Sequence, residues 1–155
     1  MTQNSGISKA EGRNLAVASA TLGPWRAASA VGALGGVVSL GVGTIADGFG
    51  SGVVVGALSV ALTLFYVVGG AGAVLGRRGG ATSGSGSDRR IRRWAAAHPW
   101  RVAAVPAALM AFSDVVVRQV LGSESFFASV GDGIWRGIVV GGVVGLVGRF
   151  GGGRR

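Results

Sequence analysis

Residues 27–46 carry no charged side chain, and after a polar turn at residues 47–52 a second uncharged run extends through residues 53–75. Twenty residues in α-helical form rise about 30 Å, the thickness of the hydrocarbon layer of a bilayer. Both runs are therefore predicted to cross a membrane. A third run, residues 102–121, has the same reach, but only if Asp114, Arg118 and Gln119 are tolerated inside it. A fourth, residues 133–148, is shorter and contains Arg136. Between these two, the stretch GSESFFASVGD places Phe126 and Phe127 in a polar turn, where contact with the membrane interface is expected.

The pattern predicts an all-α integral membrane protein with four transmembrane helices in two tandem hairpins. Residues 1–26 are read as a cytoplasmic tail, 27–76 as the first hairpin, 77–101 as a basic linker, 102–150 as the second hairpin and 151–155 as a basic cytoplasmic tail. The linker is Gly/Ser-rich at its centre and should be flexible there. Toward its end, Ser87 or Asp88 is placed to cap a short helix with Ile91, Trp94 and Ala95 on one face, lying at the membrane surface. A solvated basic loop is the equal alternative. The first apolar run starts too late and runs too long for a cleavable signal peptide.

Composition agrees with a lipid environment. The mean hydropathy is +0.55, and only 14% of residues are charged, against about a quarter in soluble domains. Thirty-one glycines among Val, Ala and Leu would build a poor water-soluble core, whereas in lipid small residues let helices approach closely. Cysteine is absent, which removes disulfides and thiolate chemistry together. With one histidine, His98, placed to meet headgroups, no metal site and no cofactor are predicted. Walker loops, nucleophile elbows, HExxH sequences and paired catalytic carboxylates are also missing from the sequence, so a non-enzymatic role is expected. Fourteen of the fifteen basic residues are arginine, which is read as the mark of a high-GC bacterial genome.

The positions of those basic residues set an orientation. In a four-span arrangement thirteen of the fifteen lie on one side, and only Arg118 and Arg136 lie elsewhere. Because loops rich in Lys and Arg remain cytoplasmic, both termini are predicted inside, in the cytoplasmic membrane. The net charge of +9 is thereby explained without nucleic acid. Within the linker, Arg77, Arg78, Arg89, Arg90, Arg92 and Arg93 are candidates to hold anionic lipid headgroups or a cytosolic partner. Trp25, Trp94, Trp100 and Trp135 stand near the ends of apolar runs and are predicted to anchor at the interface.

Two echoes suggest a parallel duplication. DGFGSGVVVG, from Asp47, returns as DGIWRGIVVG, from Asp132, and Pro24-Trp25-Arg26 returns as Pro99-Trp100-Arg101. The offsets of the two echoes differ by ten residues, which the GSESFF turn is expected to supply. Asp47 and Asp132 are predicted to cap the re-entering helices. Beyond them, Gly48, Gly52 and Gly56, and Gly133, Gly137, Gly141 and Gly145, recur every four residues as faces for close helix packing, with partner grooves at Gly32 and Gly36 and at Gly35, Ser39 and Gly43.

Asp114, Arg118, Asp132 and Arg136 form the candidate intramembrane charge cluster. Counted from the inner boundary, Asp114 rises about 18 Å and Arg136 about 21 Å, while Arg118 and Asp132 rise about 24 and 27 Å. The count sets Asp114 level with Arg136, and Arg118 level with Asp132. A central charge costs about 2.5–3.5 kcal/mol, so pairing should staple the second hairpin; an ion or proton path is the functional alternative. The hydroxyls of Ser59, Thr63 and Tyr66 are expected to bond back to helix carbonyls.

The expected function is that of a membrane protein that self-associates through its glycine-lined faces, as a holin-like pore or small transport protein. The alternative is an accessory or scaffold subunit of a larger secretion, conjugation or transport complex.

Overall fold

The computed structural model describes residues 9–21, 24–75, 91, 94–95, 97–122 and 125–151. Five helices run through them: α1 (Lys9–Thr21), α2 (Trp25–Asp47), α3 (Ser51–Leu75), α4 (Pro99–Leu121) and α5 (Phe126–Gly151). The last four have 23, 25, 23 and 26 residues and are long and apolar enough to cross a membrane. At 1.5 Å per residue they measure about 35–39 Å, which exceeds a hydrocarbon layer of about 30 Å.

Local chemistry sets the helix ends. Pro24 precedes α2 and Pro99 opens α4, positions where a missing N–H leaves no helical bond unmade. Gly48 ends α2 with φ +79°, a left-handed conformation suited to glycine, and its N–H donates to the Thr44 carbonyl at 3.1 Å. Gly122 closes α4 by donating to the Arg118 carbonyl at 2.9 Å. Ser125 opens α5, its Oγ accepting the Ala128 N–H at 3.4 Å.

That last cap corrects the sequence reading. The fourth helix starts at Phe126, includes both phenylalanines and is the longest of the set. Asp132 lies inside α5 and Asp47 is the final residue of α2, so neither aspartate caps a re-entering helix. No ten-residue insertion separates the hairpins either. Trp25 and Trp100 stand 75 positions apart, and α3 and α5 end 76 positions apart, at Leu75 and Gly151.

Helix α3 is central: α2 packs against it on one side, while α4 and α5, packed together, meet it on the other. Met110, Val102, Val140 and Val144 are fully buried in the α3–α5 core. The stretch read as a tail contains a packed helix, because α1 packs on α3 and α4 at the end of the bundle where α2 and α4 begin. Its Ala16 joins Val74, Trp94, Ala95 and Val102 in one apolar cluster.

Close approach of helices falls at particular glycines. A Cβ at Gly133 would lie 2.8 Å from the Ala111 carbonyl oxygen, and one at Gly137 would lie 2.8 Å from that of Ala107. At Gly141 it would lie 3.0 Å from the Ala107 Cβ. Across the first hairpin the tight positions are on α2: a Cβ at Gly32 would lie 2.8 Å from the Ala61 carbonyl, one at Gly36 2.9 Å from the Ala61 Cβ, and one at Gly43 2.7 Å from Val53. Gly48, Gly52 and Gly56 depart from the expectation, since a Cβ on any of them would meet nothing within 4 Å. The surface that α3 turns to α2 is made by Val53, Ala57, Ala61 and Leu64 instead.

The two hairpins also share a contact at the terminal end. Trp25 lies over Gly69 and Pro24 over Gly72. Trp100 lies over Gly145, and a Cβ at Gly148 would come within 2.8 Å of Pro99. In each case the Pro-Trp pair opening the first helix seats on two glycines, three residues apart, of the returning one.

Gly137→Ala should lower stability by about 1–3 kcal/mol, the usual cost of overfilling a packed interface. Gly142→Ala, where a Cβ would meet nothing within 4 Å, should be neutral or stabilise by up to about 1 kcal/mol through helix propensity. The midpoint of SDS-induced unfolding reads both.

Candidate functional site

Arg118 of α4 and Arg136 of α5 converge on Asp114, whose side chain is fully buried. Its Oδ1 accepts the Ser59 hydroxyl of α3 at 2.6 Å, and its Oδ2 accepts Arg118 Nε at 2.9 Å. Arg136 Nε stands 3.6 Å from that same Oδ2. Arg118 reaches onward, its Nη2 lying 2.9 Å from Asp132 Oδ2. One carboxylate is thus shared among three helices, and one guanidinium bridges two carboxylates.

Helical geometry explains the assembly. Asp114 and Arg118 are four residues apart on α4, and Asp132 and Arg136 are four apart on α5, so each pair shares a helix face. Measured from the end where the α2–α3 turn lies, Asp114 is about 10 Å deep, Ser59 about 12 Å and Arg136 about 15 Å. Exposure falls with depth on the α4 side: Arg118 and Asp114 are 8% and 0% exposed, against 55% for Asp132 and 30% for Arg136. Two carboxylates and two guanidiniums leave the cluster without net formal charge, which suits a site inside an apolar bundle.

Further polar contacts surround it. Tyr66 OH and Ser113 Oγ are 3.0 Å apart and join α3 to α4. Gln119 Nε2 donates to the buried Ser129 Oγ at 3.1 Å, joining α4 to α5. Among the described residues, every buried side-chain nitrogen or oxygen has a hydrogen-bond partner.

Of the hydroxyls expected to bond back to carbonyls, Thr63 does so, to Ser59 O at 2.7 Å, whereas Ser59 and Tyr66 face α4. Ser59, expected to bond back to its own helix, is instead a partner of the charge cluster. Its signal was a hydroxyl in the middle of an uncharged run, seven residues before Tyr66 on the same helix face.

The other sequence candidates scatter. Trp25 is partly buried against Phe65, ring centroids 5.2 Å apart; Trp100 is exposed at the start of α4, whereas Trp135 departs from the interfacial expectation, being exposed about 14 Å in from the start of α5. Trp94 departs from the interfacial expectation: it is buried, and its ring stacks on His98 at 4.9 Å. His98 in turn is held locally, Nδ1 lying 3.1 Å from the Trp94 carbonyl. Trp94 and Ala95 therefore turn to the bundle, where α1 supplies Ala16 as a neighbour. Arg77, Arg78, Arg89, Arg90, Arg92 and Arg93 lie outside the described residues. The described residues contain no group of His, Cys, Asp and Glu placed to hold a metal ion.

No protein-family model, curated protein or solved structure matches the chain.

Asp114→Ala leaves two guanidiniums and a hydroxyl facing a gap and should cost about 3–5 kcal/mol, as does breaking other buried ion pairs. Asp132→Ala, at a half-exposed position, should cost about 1 kcal/mol or less. SDS unfolding midpoints compare the two, and equal values would show that Asp114 does not hold the bundle together.

Proposed function

We propose that this chain is a non-enzymatic protein of a bacterial cytoplasmic membrane, with both termini inside, that acts by assembling with further copies of itself as a pore or small transport unit. The observation carrying this reading is that the buried members of the charge cluster, Asp114 and Arg118, are engaged within one chain. The polar groups at the centre of the bundle are thus committed to one another, so a passage calls for a seam between copies. Lipid-facing surface for such a seam is ample on α2, whose Leu34, Val37, Val38, Val42 and Ile45 are exposed and which packs chiefly on α3. The glycines at positions 133, 137, 141 and 145 meet α4 within the chain, so self-association is assigned to other faces than these.

The inward placement of both termini rests on the arginine distribution. Tandem duplication is part of the same proposal: it is supported by the doubled seating of Pro-Trp on paired glycines and by the constant offset of the helices, and glycine-mediated packing is the cohesion common to both halves. A second reading, an accessory subunit of a larger membrane complex, is favoured by the six linker arginines, which suit anionic lipid or an acidic cytosolic partner.

The mass of the protein purified in mild detergent separates the two. A homo-oligomer is expected; co-purifying larger subunits would transfer the assignment to the accessory reading, and a lone monomer would remove both. Reporter fusions at the two termini should give the same cytoplasmic signal.

A further inference from the structure

The two guanidiniums of the cluster are used unequally. Arg118 is almost fully buried between two carboxylates at 2.9 Å each. Arg136 has a single partner among the described residues, the Asp114 carboxylate, at 3.6 Å through Nε, and its side chain is 30% exposed. Its two Nη nitrogens, the broad end of the donor fork, make no hydrogen bond within the described residues. Four residues earlier on the same face of α5, Asp132 is 55% exposed and engages Arg118 through Oδ2 alone, so its second oxygen is open as an acceptor.

This pair sits beside a widened seam. Gly52 and Gly56 occupy the same face of α3 as Ser59, at helical spacing, yet a Cβ on either would meet nothing within 4 Å while Ser59 touches Asp114. Toward the α2–α3 turn, then, α3 stands away from the charged helices. Because side chains tilt toward the amino end of their helix, Arg136 leans in the same direction, to the end from which α5 enters.

We propose that Arg136 and Asp132 bind a zwitterion in which an oxyanion and a primary ammonium are separated by about one helical turn: the headgroup chemistry of an ethanolamine phospholipid. A simple anion gains little at a cluster without net charge, since Asp132 opposes it as Arg136 attracts it. A zwitterion engages both. The order of the two groups also fits a lipid in the leaflet on the side of the α2–α3 turn. Such a headgroup carries its phosphate nearer the hydrocarbon than its ammonium, and Arg136 lies about 6 Å deeper than Asp132. The guanidinium fork matches two phosphate oxygens, and the carboxylate accepts from the ammonium. Capture of this headgroup requires neither an oligomer nor a partner protein, so it stands apart from the assembly reading.

The test is lipid retention. Protein reconstituted into nanodiscs containing equal parts of phosphatidylethanolamine, phosphatidylcholine and phosphatidylglycerol is extracted with mild detergent, and retained lipid is quantified by mass spectrometry. Wild type should keep phosphatidylethanolamine over the other two, and Arg136→Gln and Asp132→Asn should each lower its retention about tenfold, the effect of losing one charge-assisted hydrogen bond. Ile138→Ala, on the lipid-facing side of α5, should change nothing. Should Arg136→Gln fail to fold, Asp132→Asn at its half-exposed position still reads the ammonium arm. Excess free phosphoethanolamine should not displace the lipid; displacement would assign the same site to a soluble zwitterion. Equal retention of the three lipids by wild type, or unchanged retention in Asp132→Asn, would overturn the proposal.

Discussion

The buried carboxylate of Asp114 is the constraint to which the rest of this bundle conforms. An ionised group without partners in hydrocarbon costs several kcal/mol, and this one is satisfied only when three helices are correctly rotated and set to depth. Ser59 must come from α3, Arg118 from the next turn of α4, and Arg136 from α5. Apolar packing in lipid is weakly directional, because lipid tails compete with side chains for the same contacts. A carboxylate with two oxygens and fixed acceptor directions supplies the register that such packing lacks. Tyr66 with Ser113 and Gln119 with Ser129 add the same kind of registration on either side of it.

Helix α2 is held by different means. None of the four residues of the charge cluster lies on it, and it comes closest to α3 at Gly32, Gly36 and Gly43. Dispersion over a tight seam is sufficient for a two-helix contact in lipid, but it specifies partner less strictly than an ion pair does. The chain therefore combines an ion-paired body, α3 to α5, with a helix packed on α3 through close-fitting shape and the Trp25–Phe65 ring contact. A surface of that second kind suits the rearrangement or extension that assembly in a membrane demands.

Much of this was legible in the sequence because the bilayer restricts the alternatives. Uncharged runs of sufficient length have one reading, and counting 1.5 Å per residue from a shared boundary aligned Asp114 with Arg136 and Arg118 with Asp132, pairs that lie 3.6 and 2.9 Å apart. Illegible features were those decided by rotation about a helix axis. Gly52 and Gly56 have the spacing of a packing face, but α3 turns Val53 and Ala57 toward α2 instead. Ser59 was indistinguishable from a hydroxyl bonded to its own helix until its direction was known. The start of α5 was obscured because Asp132, a strong capping residue by type, is engaged by Arg118, leaving Ser125 to cap the helix. Trp94 and α1 were missed for a related reason: an apolar face of a few residues looks like a surface helix unless a neighbour such as Ala16 is known to cover it.

The fate of the two internal echoes follows from the same distinction. DGxxxG is the longer match, yet its two copies occupy a helix end and a helix interior, and the chemistry of their aspartates differs. Pro-Trp is shorter, yet both copies make one kind of contact, the Trp ring over one glycine of the returning helix and the Pro beside another three residues on. A turn sequence constrains only its own residues, and in a chain rich in glycine and valine it recurs easily. A ring seated in a glycine notch constrains two helices at once, since the ring needs the missing side chain opposite and the notch needs a ring to fill it. Repetition of such a paired requirement carries more structural information than repetition of a longer string.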